Sequence, residues 1–200
     1  MTGAETWTTT RMREALRVHY PRRTASDQVD TQQAALALGV SQRTIQRWTN
    51  LADQRPIGPD TVRRRIGRLI PDEQTFVDEQ TKLDQFRQGL IWLKNERSRI
   101  PPIWRNQGWL QPHALLHIAR VDSPLQGLMI SRGSDSTLGE IQRCAVVAAS
   151  AAFPTRIHAE VFALEALRER RAWRVLPPNR RIRTTRFWLT SAPDLTLPSS

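Results

Sequence analysis

Apolar residues recur at helical spacing from the start of the chain. Met12, Leu16 and Tyr20 fall at i, i+4 and i+8 beside Ala15, which predicts a helix over residues 8–20 that Pro21 ends. Residues 22–29 are polar and read as a turn. Ala34, Ala35 and Leu38 then mark one apolar face, with Asp30 or Thr31 placed to cap it, and Ile45 and Trp48 mark a second face behind Ser41, a good N-cap. Between the two lies Gly39, which supplies the positive φ of a sharp turn, with Val40 packed beneath it. Asp60 can cap a further helix over residues 61–70, with Val62, Ile66, Leu69 and Ile70 inward. Pro71 can open another as its first residue, followed by acidic Asp72 and Glu73, running to about residue 97. Its apolar residues Phe76, Leu83, Phe86, Leu90 and Leu93 form a seam of roughly two and a half heptads, able to pair two subunits or to pack on its own chain.

Pro101-Pro102 breaks this helical series, and the texture changes. Residues 108–121 and 126–133 read as two strands joined by a turn at 122–125. A short helix is expected over residues 134–143. Residues 145–153, AVVAASAAF, are apolar on every side and predict a buried strand or a buried helix. Thr155 caps an amphipathic helix with Ile157, Val161, Leu164 and Leu167 inward, and residues 183–190 read as a final strand.

The segment from Thr31 to Asn50 resembles the helix-turn-helix of bacterial and phage DNA-binding proteins. The resemblance rests on small Ala35 where two helices cross, Gly39 in the turn, apolar Val40, and Ile45 and Trp48 on the inner face. It covers about 20 residues, and Trp48 is bulkier than the aliphatic residue usual at its place. The family lays its second helix in the major groove with the start of that helix over the bases. By that resemblance Ser41, Gln42, Arg43, Gln46 and Arg47 are candidate base contacts, since Gln pairs bidentately with adenine and Arg with guanine. Thr44, Arg63, Arg64, Arg65 and Arg68 are candidate phosphate contacts. The expected architecture is α+β. A helix-turn-helix domain occupies residues 1–75, a linking helix 76–100, and a small α/β domain with a mixed sheet 101–200.

Charge sharpens this picture. Thirty bases against 19 acids leave the chain at +11, which favours a polyanionic partner. Residues 1–75 carry +4, residues 76–100 carry +1 and residues 101–200 carry +6. No Asp or Glu occurs from Gln32 to Leu51, whereas a merely solvated helix face mixes both signs. Arg168, Arg170, Arg171, Arg174, Arg180, Arg181, Arg183 and Arg186 make the densest basic run, interleaved with Trp173, Phe187 and Trp188. Of these, Arg170, Arg171, Arg174, Arg180, Arg181, Arg183 and Arg186 form a candidate second nucleic-acid surface.

Catalytic signals are weak. Cys144 stands alone, which excludes a disulfide framework and multi-cysteine zinc sites. His113 and His117 lie four apart with no acidic third ligand near them in sequence. His158 could act as a base beside Arg156 as an anion clamp, but on a helix it points away from Glu160. No phosphate-binding loop, GxGxxG, GxSxG or HExxH is present. No stretch approaches about 18 consecutive apolar residues, and the first residues lack a secretory layout. The expectation is therefore a cytoplasmic, nucleoid-associated protein without cofactor or metal that binds specific double-stranded DNA. Its role would be that of a repressor-like transcriptional regulator of phage, plasmid or bacterial origin, rather than an enzyme. A homodimer through Phe76, Leu83, Phe86, Leu90 and Leu93 is one option. The alternative is a DNA-processing factor for replication, recombination or end maintenance, with the helix-turn-helix delivering the α/β domain.

Overall fold

The computed structural model describes residues 6–132, 145–178 and 186–198. Among the described residues helices mix with two small sheets, and the chain divides into two compact units. The first holds Met1–Asp72, Arg120–Gln126 and Ala172–Pro193; the second holds Glu73–Ala119, Gly127–Arg171 and Asp194–Ser200. The helix read as a separate linker instead belongs to the second unit, and two later segments return to the first.

In the first unit, α1 (Thr9–His19) starts at Thr8, whose side chain accepts from the Arg11 backbone N–H at 3.2 Å. Met12, Ala15 and Leu16 are fully buried along it. The following residues are not a plain turn. Strands β1 (Pro21–Arg22) and β2 (Ala25–Val29) form an antiparallel hairpin. Helix α2 (Thr31–Leu38) is capped by Asp30, which accepts from Gln33 N at 2.9 Å. Gly39 adopts φ +63°, and Gly39 N and Val40 N donate to the Leu36 and Ala35 carbonyls, so α2 closes in a paired left-handed cap. Two arginines complete that cap from a distance. Arg65 Nη1 donates to the Leu38 and Gly39 carbonyls at 3.4 and 3.1 Å, and Arg68 Nη2 donates to the Ala37 carbonyl. Helix α3 (Gln42–Thr49) begins at Ser41, whose Oγ accepts from Thr44 N at 3.2 Å. A Cβ on residue 39 would meet only Arg65 Nη1 at 3.5 Å, so the obstacle to a side chain there is the backbone angle. Gly39→Ala is expected to lower stability by about 1 kcal/mol. Urea unfolding checks this, and an unchanged midpoint would mean that the turn carries no such preference.

The Arg-rich segment after Gly58 is helical but irregular. It is α-helical at Pro59–Thr61 (α4), widens to a π turn at Val62–Ile66 and tightens to 3-10 at Gly67–Leu69. Asp60 lies inside its first turn instead of capping it. The last strand, β6 (Phe187–Leu189), is fully buried. Just beyond it, Glu14 of α1 accepts hydrogen bonds from Thr190 Oγ1 and from the Ser191 backbone N–H and Oγ. Leu176 N donates to the Leu69 carbonyl at 2.8 Å. These bonds explain why segment 172–193 belongs with the N-terminal helices.

In the second unit, α5 (Glu73–Asn95) starts after buried Pro71, two residues later than the sequence suggested. Leu83 and Phe86 of the seam are buried, while Phe76, Leu90 and Leu93 are half-buried. The helix packs along α7 (Arg156–Glu169), so the seam meets its own chain. Between them in sequence comes α6 (Pro102–Asn106). Trp104 and Trp109 stack at 5.5 Å beside Phe86, and Gly89 gives Trp104 room: a Cβ there would sit 2.6 Å from its ring. Strand β3 (His113–Arg120) starts later than expected, because residues up to Gln111 form turns. It lies between β4 (Leu125–Ser131) and β5 (Ala145–Phe153). The expected burial of residues 145–153 is overturned. β5 is a strand, but Val146, Val147, Ala148, Ala149, Ser150 and Ala152 are all exposed. The short helix expected over 134–143, and Cys144, lie outside the described residues.

Candidate nucleic-acid interface

Helix α3 has two unlike faces. Ile45 and Trp48 are buried inward, while Gln42, Arg43, Gln46 and Arg47 are exposed outward. This orientation is set by packing: α3 lies against α1 and α2, and Val40 of the turn is half-buried. The outward residues divide further by what they touch. Gln42 Nε2 donates to Thr31 Oγ1 at 3.0 Å, tying the starts of α2 and α3 together. Ser41 Oγ serves the cap and shares a 2.9 Å hydrogen bond with half-buried Thr44 Oγ1. Among the described residues, the side chains of Arg43, Gln46 and Arg47 make no hydrogen bond.

An open groove of about 400 Å³ runs along this face, lined by Ser41, Arg43, Thr44, Gln46, Arg47, Asn50, Asp53 and Arg55. The last three were not among the sequence candidates. Arg55 grips Asp53 with both prongs, Nε to Oδ1 at 2.9 Å and Nη2 to Oδ2 at 2.6 Å. That hydrogen bonding, with the nearby Arg47 charge adding to it, holds the Asp53 carboxyl down at about 2. The groove therefore keeps one ionised acid among three guanidiniums. The D-x-R spacing just past α3 was the signal available in the sequence.

The candidate phosphate contacts separate. Arg63 and Arg64 are exposed on the π turn, whereas Arg65 and Arg68 hold the α2 carbonyls described above. A guanidinium has five donors, so Arg65 and Arg68 keep some free, but their position is set by the turn. The proposed second surface is corrected. Arg170 and Arg174 are buried, at 4% and 1% exposure. Arg170 donates to the Ala166 and Asp194 carbonyls. Arg171 pairs with Glu73 at 2.6 Å and lies over the Phe76 ring at 4.1 Å. Arg186 is half-buried, and Arg180, Arg181 and Arg183 lie outside the described residues. The run was dense in sequence, but its described members do not form one exposed face.

The histidines also resolve. His113 and His117 are buried on β3, and His113 Nδ1 donates to the Gln111 carbonyl at 2.9 Å. His158 Nδ1 shares a 2.9 Å hydrogen bond with Thr155 Oγ1, and burial lowers its pKa. Arg156 is not held free as an anion clamp: it pairs with buried Glu160 at 3.2 Å and covers the Trp109 ring at 4.6 Å. Among the described residues, no three His, Cys, Asp or Glu side chains gather where they could hold a metal ion. No helix among them is long and apolar enough to cross a membrane.

No family model, no curated protein and no solved structure matches the chain.

Proposed function

We propose that the α2–turn–α3 pair is a helix-turn-helix and that the protein binds specific sites on double-stranded DNA. Its role is that of a repressor-like regulator at the nucleoid. The observation that supports this reading is the outer face of α3. It presents Arg43, Gln46 and Arg47 with no hydrogen bond of their own, on a helix whose opposite face is buried by Ile45 and Trp48. The one acid lining the groove, Asp53, is already gripped by Arg55. A base-reading helix needs such side chains free, because bidentate Arg–guanine and Gln–adenine pairs use both ends of the side-chain fork. Arg63 and Arg64 supply exposed charge for the DNA backbone.

Binding selection from random duplexes at about 150 mM salt tests the reading, since specific binding must survive where screening weakens non-specific attraction. Recovery of a consensus is the expected result; an unenriched pool overturns it. On the selected site, Arg43→Ala and Arg47→Ala should each lose about 1–3 kcal/mol of binding. Losses of equal size on random DNA would reassign both side chains to phosphates.

A further inference from the structure

Strand β5 is nine residues long and lies at one side of its sheet, with β3 on the other side of it. Among the described residues no strand lies beyond it. Exposed strand edges are normally guarded by charge, proline or a bulge, because their free N–H and C=O groups recruit other strands. Residues 145–153 contain no charged residue and no proline, in a chain with 30 bases and 19 acids. Val146 is 58% exposed and Val147 38%, so apolar surface is left open along the strand.

We propose that β5 is a homodimer interface, at which it pairs antiparallel with β5 of a second copy about a twofold axis centred on Ala149. The sequence is complementary to itself in this register. Val146 falls opposite Ala152, Val147 opposite Ala151, Ala148 opposite Ser150, and Phe153 opposite Ala145. Each bulky side chain meets a small one on the same face, the fit an isologous strand pair requires. Charge selects the occupant. The strand offers DNA no cation, and a neutral edge is where two copies at +11 can approach with least repulsion. The area sets the strength. A nine-residue strand is roughly 30 Å long and a sheet about 10 Å thick, giving roughly 300 Å² per copy. That is under half of the about 800 Å² per partner of a standard interface. The dimer is therefore concentration-dependent.

Sedimentation equilibrium of the full chain, from low micromolar to about 100 µM, is the test; a Kd in the micromolar range gives mostly dimer at the upper end. The wild type should pass from the mass of one chain to that of two. Ala149→Lys and Ala149→Glu place like charges opposite each other and should each stay at one chain, with unchanged circular dichroism. An equimolar mixture of the two variants should regain the mass of two, because the ammonium introduced in one copy then faces the carboxylate introduced in the other. A wild type that stays monomeric overturns the proposal. So do variants that still dimerise alone, which would place the contact elsewhere, or a mixture that stays monomeric while the wild type dimerises, which would exclude the pairing of Ala149 with itself.

Discussion

Trp48→Ala is expected to cost about 3–5 kcal/mol of unfolding free energy, as truncation of a buried Trp does. Trp48 is 3% exposed on the inner face of α3, and no other side chain of that helix except Ile45 is buried. Eight residues cannot hold a helix by propensity alone, since isolated helices shorter than about 12–15 residues are marginal in water. The position of α3 thus rests on two apolar anchors and the Ser41 cap. Whole domains are stable by about 5–15 kcal/mol, so the variant retains little margin. Urea unfolding measures the loss directly. Trp48→Phe should lose much less, because the indole Nε1 has no hydrogen-bond partner to forfeit. A cost below about 1 kcal/mol for the alanine variant would contradict the packing described. DNA binding should fall with it, although Trp48 points away from the proposed contact face.

The second large effect is on pH. His19, in the last turn of α1, has its pKa lowered from 6.5 to about 4, chiefly by burial. The Arg68 charge lowers it further, while the carbonyls of Leu176 and Leu69 partly offset the shift. The unfolded chain takes up a proton near pH 6.5 that the folded chain refuses until about pH 4. Acid therefore favours the unfolded state across that window. The contribution is fully present above about pH 7 and lost as pH falls towards 4, by about 3 kcal/mol in total at 1.36 kcal/mol per pKa unit. Carboxylates add their own slope, so the readout is a difference. His19→Phe should lose less stability than the wild type between pH 7 and pH 4. Parallel curves for the two proteins would show that the ring is protonated in the fold.

Much of α2, the turn and α3 was legible because its signals are local. Asp30, Gly39 and Ser41 act within three residues of their own position, and an amphipathic face needs only a few turns to declare itself. The β1–β2 hairpin was not legible for the opposite reason. Its strands are two and five residues long, and among their described side chains only Val29 is buried, so no alternation could register. For β5 the apolar composition was read correctly, but composition cannot tell a central strand from an outer one. The same limit applied to the arginines. Their charges were visible in the sequence, but the carbonyls that hold Arg65, Arg68 and Arg170 are fixed only by folding. Asp53 and Arg55 were not among the candidates, because their place along the groove is fixed only by folding.

The way those arginines are held bears on a bias in composition. The chain has 28 arginines and only two lysines, Lys82 and Lys94. Arg55 uses Nε and Nη2 on one carboxylate, and Arg170 uses Nη1 and Nη2 on carbonyls 28 residues apart in the chain. An ammonium ion is a compact point with no planar fork to span such pairs. At these positions lysine would keep the charge and lose the joint, so part of the preference for arginine is a matter of carpentry within the fold.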